Sequence, residues 1–161
     1  MAVDMFLNIE GEIEGEAKDK EHAQEIDILA WSWGISNSGS FHTGGGGGAG
    51  KANFQDISIT KYVDSASSKL MLYCANGDHF KKARLTVRKA GKIALENIII
   101  EMGNVMITSI SSGGSGGEDR LTENISLNFE NVEVKYTPQK EDGGAGKPTE
   151  FKWDIGKNAS K

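Results

Sequence analysis

The sequence predicts a mainly β fold: an antiparallel β-barrel or sandwich of about eight strands, one flanking α-helix and long glycine-rich loops. Three observations carry this. Apolar residues recur with a period of two along most of the chain. Only the stretch from Asp64 to Gly77 has helical spacing. Thirteen of the 21 glycines fall into three clusters, at 44–50, 113–117 and 143–146, and mark three loops. The 161 residues read as one domain spanning 1–161. A hydrophobic content of 37% is enough for a core, and the glycines do not recur every third residue, which excludes a collagen-like chain.

The elements follow in chain order. Val3, Met5, Leu7 and Ile9 alternate with Asp4, Phe6, Asn8 and Glu10, the pattern of a half-buried strand. Phe6 interrupts the polar face, which points to partial cover on that side as well. Gly11 and Gly15 bracket a turn, and 16–24 reads as a polar loop. Ile26 and Ile28 begin a second strand; Trp31, Trp33 and Ile35 continue it on the opposite parity, so a bulge or twist is expected near Leu29-Ala30. A long loop occupies 34–52, and strand character resumes from Phe54 to Tyr62. Asp64 is the expected N-cap of the helix, with Ala66, Leu70, Met71, Tyr73 and Cys74 on one face and Gly77 as its stop. Asp78-His79 reads as a turn after it.

Beyond the helix, Leu85 and Val87 alternate with Arg84, Thr86 and Arg88. Residues 97–101 read as a more fully buried strand. A turn is expected at Gly103-Asn104, with strand again through Val105, Ile107 and Ser109. After the loop 111–117, Leu121, Glu123, Ile125, Leu127 and Phe129 share one parity, whereas Val132, Val134 and Tyr136 take the other. That slip predicts one long strand with a β-bulge at Glu130-Asn131. Residues 138–148 form a loop, and Phe151, Trp153 and Ile155 a last strand.

Composition bounds the partners. Eighteen Lys and Arg stand against 23 Asp and Glu, a net charge of -5 and not the basic balance of a nucleic-acid binder. A single cysteine, Cys74, excludes an intrachain disulfide and suits a reducing cytosol. No run of about 18 apolar residues offers a membrane span. The N-terminus has no basic stretch followed by an apolar one, so export would need a route other than a cleaved signal.

The chemistry is sparse. Gly45 to Lys51 matches the first seven places of a phosphate-binding P-loop, but the eighth is Ala52 in place of Ser or Thr. A strand follows, not the helix whose N-terminus would receive phosphate. His22, His42 and His79 are not paired at i, i+3 or i+4, so no metal or cofactor is expected. No serine lies in a Gly-x-Ser-x-Gly elbow, and Cys74 is expected on a buried helix face, where a thiol is inert. An enzyme is therefore not expected. Glu10, Glu12, Glu14 and Glu16 read as a solvated hairpin. Lys81, Lys82, Arg84, Arg88, Lys89 and Lys92 fit either an edge strand guarded against stray pairing or an electrostatic contact with another protein, and both can hold. Trp31 and Trp33 share a face and are expected to fill the barrel, with Ser32 facing outward.

The wording of the chain resembles the Hcp family, the haemolysin-coregulated proteins of bacterial type VI secretion. The strings are Met1-Ala2-Val3-Asp4-Met5-Phe6, Glu25-Ile26-Asp27, Leu29-Ala30-Trp31-Ser32-Trp33-Gly34, Gly44 to Lys51, Thr60-Lys61-Tyr62 and Leu85 to Gly91. The most specific is Gly113-Gly114-Ser115-Gly116-Gly117-Glu118-Asp119-Arg120-Leu121-Thr122-Glu123-Asn124, followed by Leu127-Asn128-Phe129. The resemblance implies a tail-tube-like barrel that assembles with copies of itself as a hexameric ring. Rings would stack into a tube inside a contractile sheath, below a spike protein, and carry effectors in the lumen. The protein would be cytoplasmic before firing and then secreted without a cleaved signal peptide. No membrane insertion, nucleic acid or cofactor is implied.

The resemblance also implies site residues. The loop with Phe41, His42, Gly44, Gly45, Gly46, Gly47, Gly48, Ala49, Gly50 and Lys51 would reach the adjoining subunit. Glu118, Asp119 and Arg120 would lie near a subunit or ring boundary, and Ser32 would face the lumen and its effectors. Residues 141–150 depart from the family pattern. Two alternatives remain at this level: a phage-like or other contractile-injection tail tube, and a monomeric β-barrel carrier of a small ligand. The carrier predicts a hollow barrel; the tube predicts a filled one.

Overall fold

The computed structural model describes residues 2–11, 13–42, 44 and 50–161. Its strands are β1 (Val3–Ile9), β2 (Ile26–Asp27), β3 (Ala30–Ser32), β4 (Ile35–Ser36), β5 (Asn53–Phe54), β6 (Ile57–Tyr62), β7 (His79–Lys89), β8 (Leu95–Gly113), β9 (Thr122–Tyr136), β10 (Thr149–Asp154) and β11 (Ala159–Ser160). One helix, α1 (Ser67–Asn76), precedes β7. The fold is mainly β, as the period of two requires, and its strand pairs are antiparallel. Eleven strands are described against about eight expected: the second is broken into β2, β3 and β4, the third into β5 and β6, and β11 is added, whereas the strands expected at 97–101 and at 105–109 are the single β8.

The main sheet runs β11-β10-β9-β8-β7-β1-β2. β9 takes two partners in turn along one edge: β6 beside Thr122 to Leu127, then β10 beside Asn131 to Tyr136. β3 pairs with the far edge of β6. The strand ladder does not itself close between β1 and β6. The segment 26–32 spans that gap by changing partner midway. Phe6 and Leu7 pair with Asp27 and Ile26, and the Ile28 N–H donates to Met5 O at 3.0 Å. The Leu29 N–H then donates to Thr60 O at 2.8 Å. The parity change expected near Leu29-Ala30 is this hand-over, and Trp31 and Trp33 pack against the core beyond it. Inside lies a contiguous cluster that includes Leu7, Ile57, Ile59, Leu85, Ile107, Ile125 and Leu127.

A change of phase crosses three strands at one level. Lys82, Gly103 and Asn131 are successive Cα partners. On one side of them Ala83, Met102 and Val132 form a buried row; on the other Phe80, Val105 and Phe129 do. The expected turn at Gly103-Asn104 is corrected: β8 runs unbroken through it, with Asn104 at φ 52°. A Cβ on Gly103 would stand 2.5 Å from Asn131 Oδ1, so glycine there leaves that side chain its place, and any larger residue must push it aside. The slip at Glu130-Asn131 is real in side-chain phase, but the β8–β9 register does not shift there because both strands change together. The register shift lies between Ile107 and Ser109, with Thr108 as the extra residue.

The helix also differs in detail. Its N-cap is Ala66, with no side-chain cap; Asp64 instead accepts from the Ala66 N–H at 3.0 Å and closes the preceding turn. Leu70 is buried, and Tyr73 and Cys74 are half-buried against the core, whereas Met71 is exposed. Residue 71 follows directly on the buried Leu70, at about 100° around a helix, and so turns away. Gly77 stops the helix at φ 73°, with its N–H on Tyr73 O. β7 begins two residues later, so Asp78-His79 is not a separate turn. β7 lies between β1 and β8, which removes the edge-strand reading of Lys81 to Lys92. Segment 13–25 folds back on itself: the Gly15 N–H donates to Gln24 O and the Gln24 N–H to Ala17 O, and a Cβ on Gly15 would stand 2.5 Å from Glu25 O. Glu10, Glu14 and Glu16 are exposed as expected of a solvated hairpin, Glu12 lies outside the described residues, and Ile13, Gly15 and Ala17, which alternate with them, are buried. This segment covers the second face of β1. Phe6 is buried there, stacked on His22 at 4.5 Å, with the Arg88 guanidinium 5.2 Å from its ring.

Candidate functional site

The face of β3, β6, β9 and β8 that carries Ser32 is unusual in its chemistry. Ile57, Ile59, Ile125, Leu127 and Ile107 point into the core, so the intervening residues point out. Ser32, Ser58, Ser126 and Ser109 are successive Cα partners across the four strands. The next row is Ala30, Thr60, Asn124 and Ser111. These two rows hold hydroxyls, one amide and one methyl, and no charge. The bulge at Thr108 turns two adjacent hydroxyls, Thr108 and Ser109, onto this face.

The hydroxyls bond one another. Ser126 Oγ lies 2.8 Å from Thr108 Oγ1 and 2.5 Å from Ser109 Oγ. Thr60 Oγ1 donates to Asn124 Oδ1 at 2.7 Å. Asp56 at the border accepts from Thr108 at 2.7 Å and Asn128 at 2.8 Å, so both carboxylate oxygens are engaged. Such a surface offers many weak, interchangeable hydrogen bonds and little electrostatic attraction.

Directly behind it lies a buried charged cluster. Lys61 and Glu123 are Cα partners and both are fully buried. Lys61 Nζ stands 2.5 Å from Glu123 Oε1 and 2.9 Å from Asp64 Oδ1, and donates to Ser67 Oγ at 3.3 Å. Ser67 Oγ donates to Glu123 Oε1 at 2.5 Å and Ser112 Oγ to Oε2 at 2.9 Å. Burial alone would raise the Glu123 carboxyl; the bonds from Lys61, Ser67 and Ser112 outweigh it and hold the group below its ordinary value. The cluster ties β6, β9, β8 and the start of α1 together. Sequence reasoning missed it. The signal was there, a charged residue on the apolar parity of each of two strands.

Glu118, Asp119 and Arg120 are exposed at one end of this face. The Arg120 guanidinium lies 3.8 Å over the ring of Tyr62, which follows Ser58 and Thr60 on the outward parity of β6. A shallow depression lined by Ser111, Gly113, Ser115, Glu118, Thr122 and Asn124 joins the loop to the rows. The structure thus brings Ser32 and the 118–120 loop onto one face. In β2, Asp27 is raised above its ordinary value by partial desolvation, against the pull of Arg120 and with Asp64, Asp4 and Asp19 adding to the rise.

The glycine-loop residues sit apart. The loop springs from a separate two-stranded ladder of β4 and β5, and the Gly50 N–H donates to Ser38 O at 3.3 Å. Phe41 is 88% exposed, an aromatic ring without cover in the single chain, and His42, Gly44, Gly50 and Lys51 are exposed too. Gly45, Gly46, Gly47, Gly48 and Ala49 lie outside the described residues.

Residues 6–136 match the family described as "Type VI secretion system effector, Hcp". The chain belongs to the Hcp family. Protein hcp1 of Pseudomonas aeruginosa is 57% identical to it over 160 residues, 98% of either chain. A solved type six secretion system protein superposes with a TM-score of 0.93 at 28% identity, covering 99% of this chain and 100% of its own. Hcp1 from Salmonella typhimurium gives 0.81 at 33% identity, covering 99% of each. The Hcp family is one of structural and secreted type VI proteins, and the resemblance read from the residues is the family the comparisons give. Among the described residues of this Hcp chain, no helix is long and apolar enough to cross a membrane.

Proposed function

We propose that this chain is the ring-forming subunit of a type VI secretion inner tube, and that the hydroxyl rows around Ser32 line the lumen. The observation that carries the reading is the pair of uncharged rows, Ser32-Ser58-Ser126-Ser109 and Ala30-Thr60-Asn124-Ser111, on a sheet whose other face is core. A conduit for varied cargo needs contacts weak enough to release and too evenly spread to favour one charge. Neutral hydroxyls supply that. Six copies would form a ring and rings would stack. Sheath, spike and effectors are the partners, and the protein is held in the cytoplasm until contraction expels it. The loop from Phe41 to Lys51 reaches a neighbouring subunit, and 118–120 lies at a ring or subunit boundary. The packed interior argues against a hollow small-ligand carrier, and the family match favours type VI secretion over a phage tail.

Light scattering on a sizing column tests the assembly. A ring has about six times the 17.3 kDa of the monomer; a clean monomer with no larger species defeats the reading. The lumen assignment is tested separately by Ser58→Arg. The exposed, outward position leaves the fold intact. The expected result is an unchanged ring mass with cargo retention altered according to cargo charge; unchanged retention removes the rows from the lumen.

A further inference from the structure

The underside of segment 13–25 holds a second, unrelated site. His22 is 4% exposed and stacked on Phe6, so its ring is fixed. Each ring nitrogen faces a carboxylate: Nδ1 lies 3.0 Å from Glu25 Oε2, and Nε2 lies 2.7 Å from Glu96 Oε1. A neutral imidazole has one N–H. Glu25 is buried, and its other oxygen is held by Asn8 Nδ2 at 3.3 Å and Arg84 at 3.6 Å. With the single ring proton on Nδ1, facing the buried Glu25, Nε2 presents a lone pair to a carboxylate oxygen. At 2.7 Å those two atoms share a proton, or both turn to a metal ion beside them.

The outer side has room for one. Ligand atoms of Glu21, His22 and Glu96 all lie within 4.8 Å of one another, and Glu96 and Glu21 are 36% and 70% exposed. Arg88 pairs with Glu21 only at 3.9 Å, while it bonds Asp19 and Asp4 more closely. Charge favours a divalent ion over a proton. Glu21, Glu25 and Glu96 with Arg84 leave a net -2 around a neutral ring; a proton leaves -1 and a divalent cation leaves zero. A buried carboxylate behind a histidine that presents its other nitrogen outward is the arrangement that orients metal-binding imidazoles. We propose that Glu21, His22 and Glu96 bind a divalent transition cation of the zinc class through His22 Nε2 and the two carboxylates, with water completing the shell. The ion would pin segment 13–25 to β8.

The test is calorimetric titration of Zn2+ into chelator-treated full-length protein near neutral pH, with NMR of the imidazole nitrogens. The expected result is one saturable site, a metal-shifted Nε2 beside a protonated Nδ1, and a thermal midpoint that rises with Zn2+. Glu96→Gln and Glu21→Gln, both at surface positions, should each weaken binding about tenfold or more, and Glu25→Gln about 10–100-fold through the ring's orientation. His42→Gln and His79→Gln should leave it unchanged. Absence of saturable binding overturns the proposal. So does binding lost with His42 or His79, or a His22 ring protonated on both nitrogens at saturating Zn2+, which would make it a proton-held clasp.

Discussion

Lys61 and Glu123 face each other across β6 and β9 with neither side chain reaching solvent. Removing one partner strands the other. Lys61→Ala or Glu123→Ala should cost about 3–5 kcal/mol in urea unfolding, whereas the double replacement by Met and Leu should recover most of that loss. A simple sum of the single losses in the double variant would show that the two do not act as a pair. The same cluster sets an acid limit. Glu123 is held below its ordinary value of 4.5 and Asp19, bonded by Arg88, below 3.8. A depressed folded value means the stabilisation is whole above the ordinary value and is lost as pH falls through the folded one. The urea midpoint should therefore fall as pH drops below the ordinary values of 4.5 and 3.8 and go on falling through the depressed ones, less steeply in Glu123→Gln. Equal slopes in the two proteins would remove Glu123 from the acid response.

At the scale of elements, long strands keep one sheet while their side chains change face. The device is shared: β7, β8 and β9 all change phase at the level of Lys82, Gly103 and Asn131, so pairing survives. Gly103→Ala should destabilise by pushing Asn131 aside, and Asn131→Ala should relieve it, giving a non-additive double-mutant cycle. Additive losses would mean that the contact does not matter. Gly77 ends α1 at φ 73°, where any Cβ is strained. Gly77→Ala should lower stability by roughly 1–2 kcal/mol, read from thermal or urea melts.

At the scale of the molecule, Glu14 and Glu16 of segment 13–25 are exposed, as are Lys81 and Lys92, in β7 and beyond it. Glu10 already lies beside Lys82, its N–H on Lys82 O at 3.0 Å, and Arg88 is used internally by Asp19 and Asp4. If the exposed glutamates and lysines meet across stacked rings, the sedimenting fraction of tubes should fall as salt rises from about 0.05 M to about 0.5 M, because exposed pairs are screened within a Debye length. Salt-independent stacking would exclude that contact. Deleting 44–50 leaves β4, β5 and the main sheet in place, so the variant should fold as a monomer and fail to hold a ring in sizing experiments. A stable hexamer from it would take the loop out of assembly.

What the sequence by itself determined is what repeats locally. The period of two in Val3 to Ile9 and in Thr122 to Phe129, the cover over Phe6, the stop at Gly77 and the family strings were all readable, because each depends on neighbours a few residues away. The turn expected at Gly103-Asn104 failed because a glycine and an asparagine also serve where three strands change face together, and that partner level is invisible in one strand. Ser32 was legible as outward-facing, but its row was not. Ser58, Ser126 and Ser109 come beside it only through registers between residues far apart in the chain. Lys61 with Glu123, and His22 with Glu96, are separated by 62 and 74 residues. Only the tertiary structure could decide such pairs, because a charge or a lone pair acts through distance in space, and spacing along the chain does not record it.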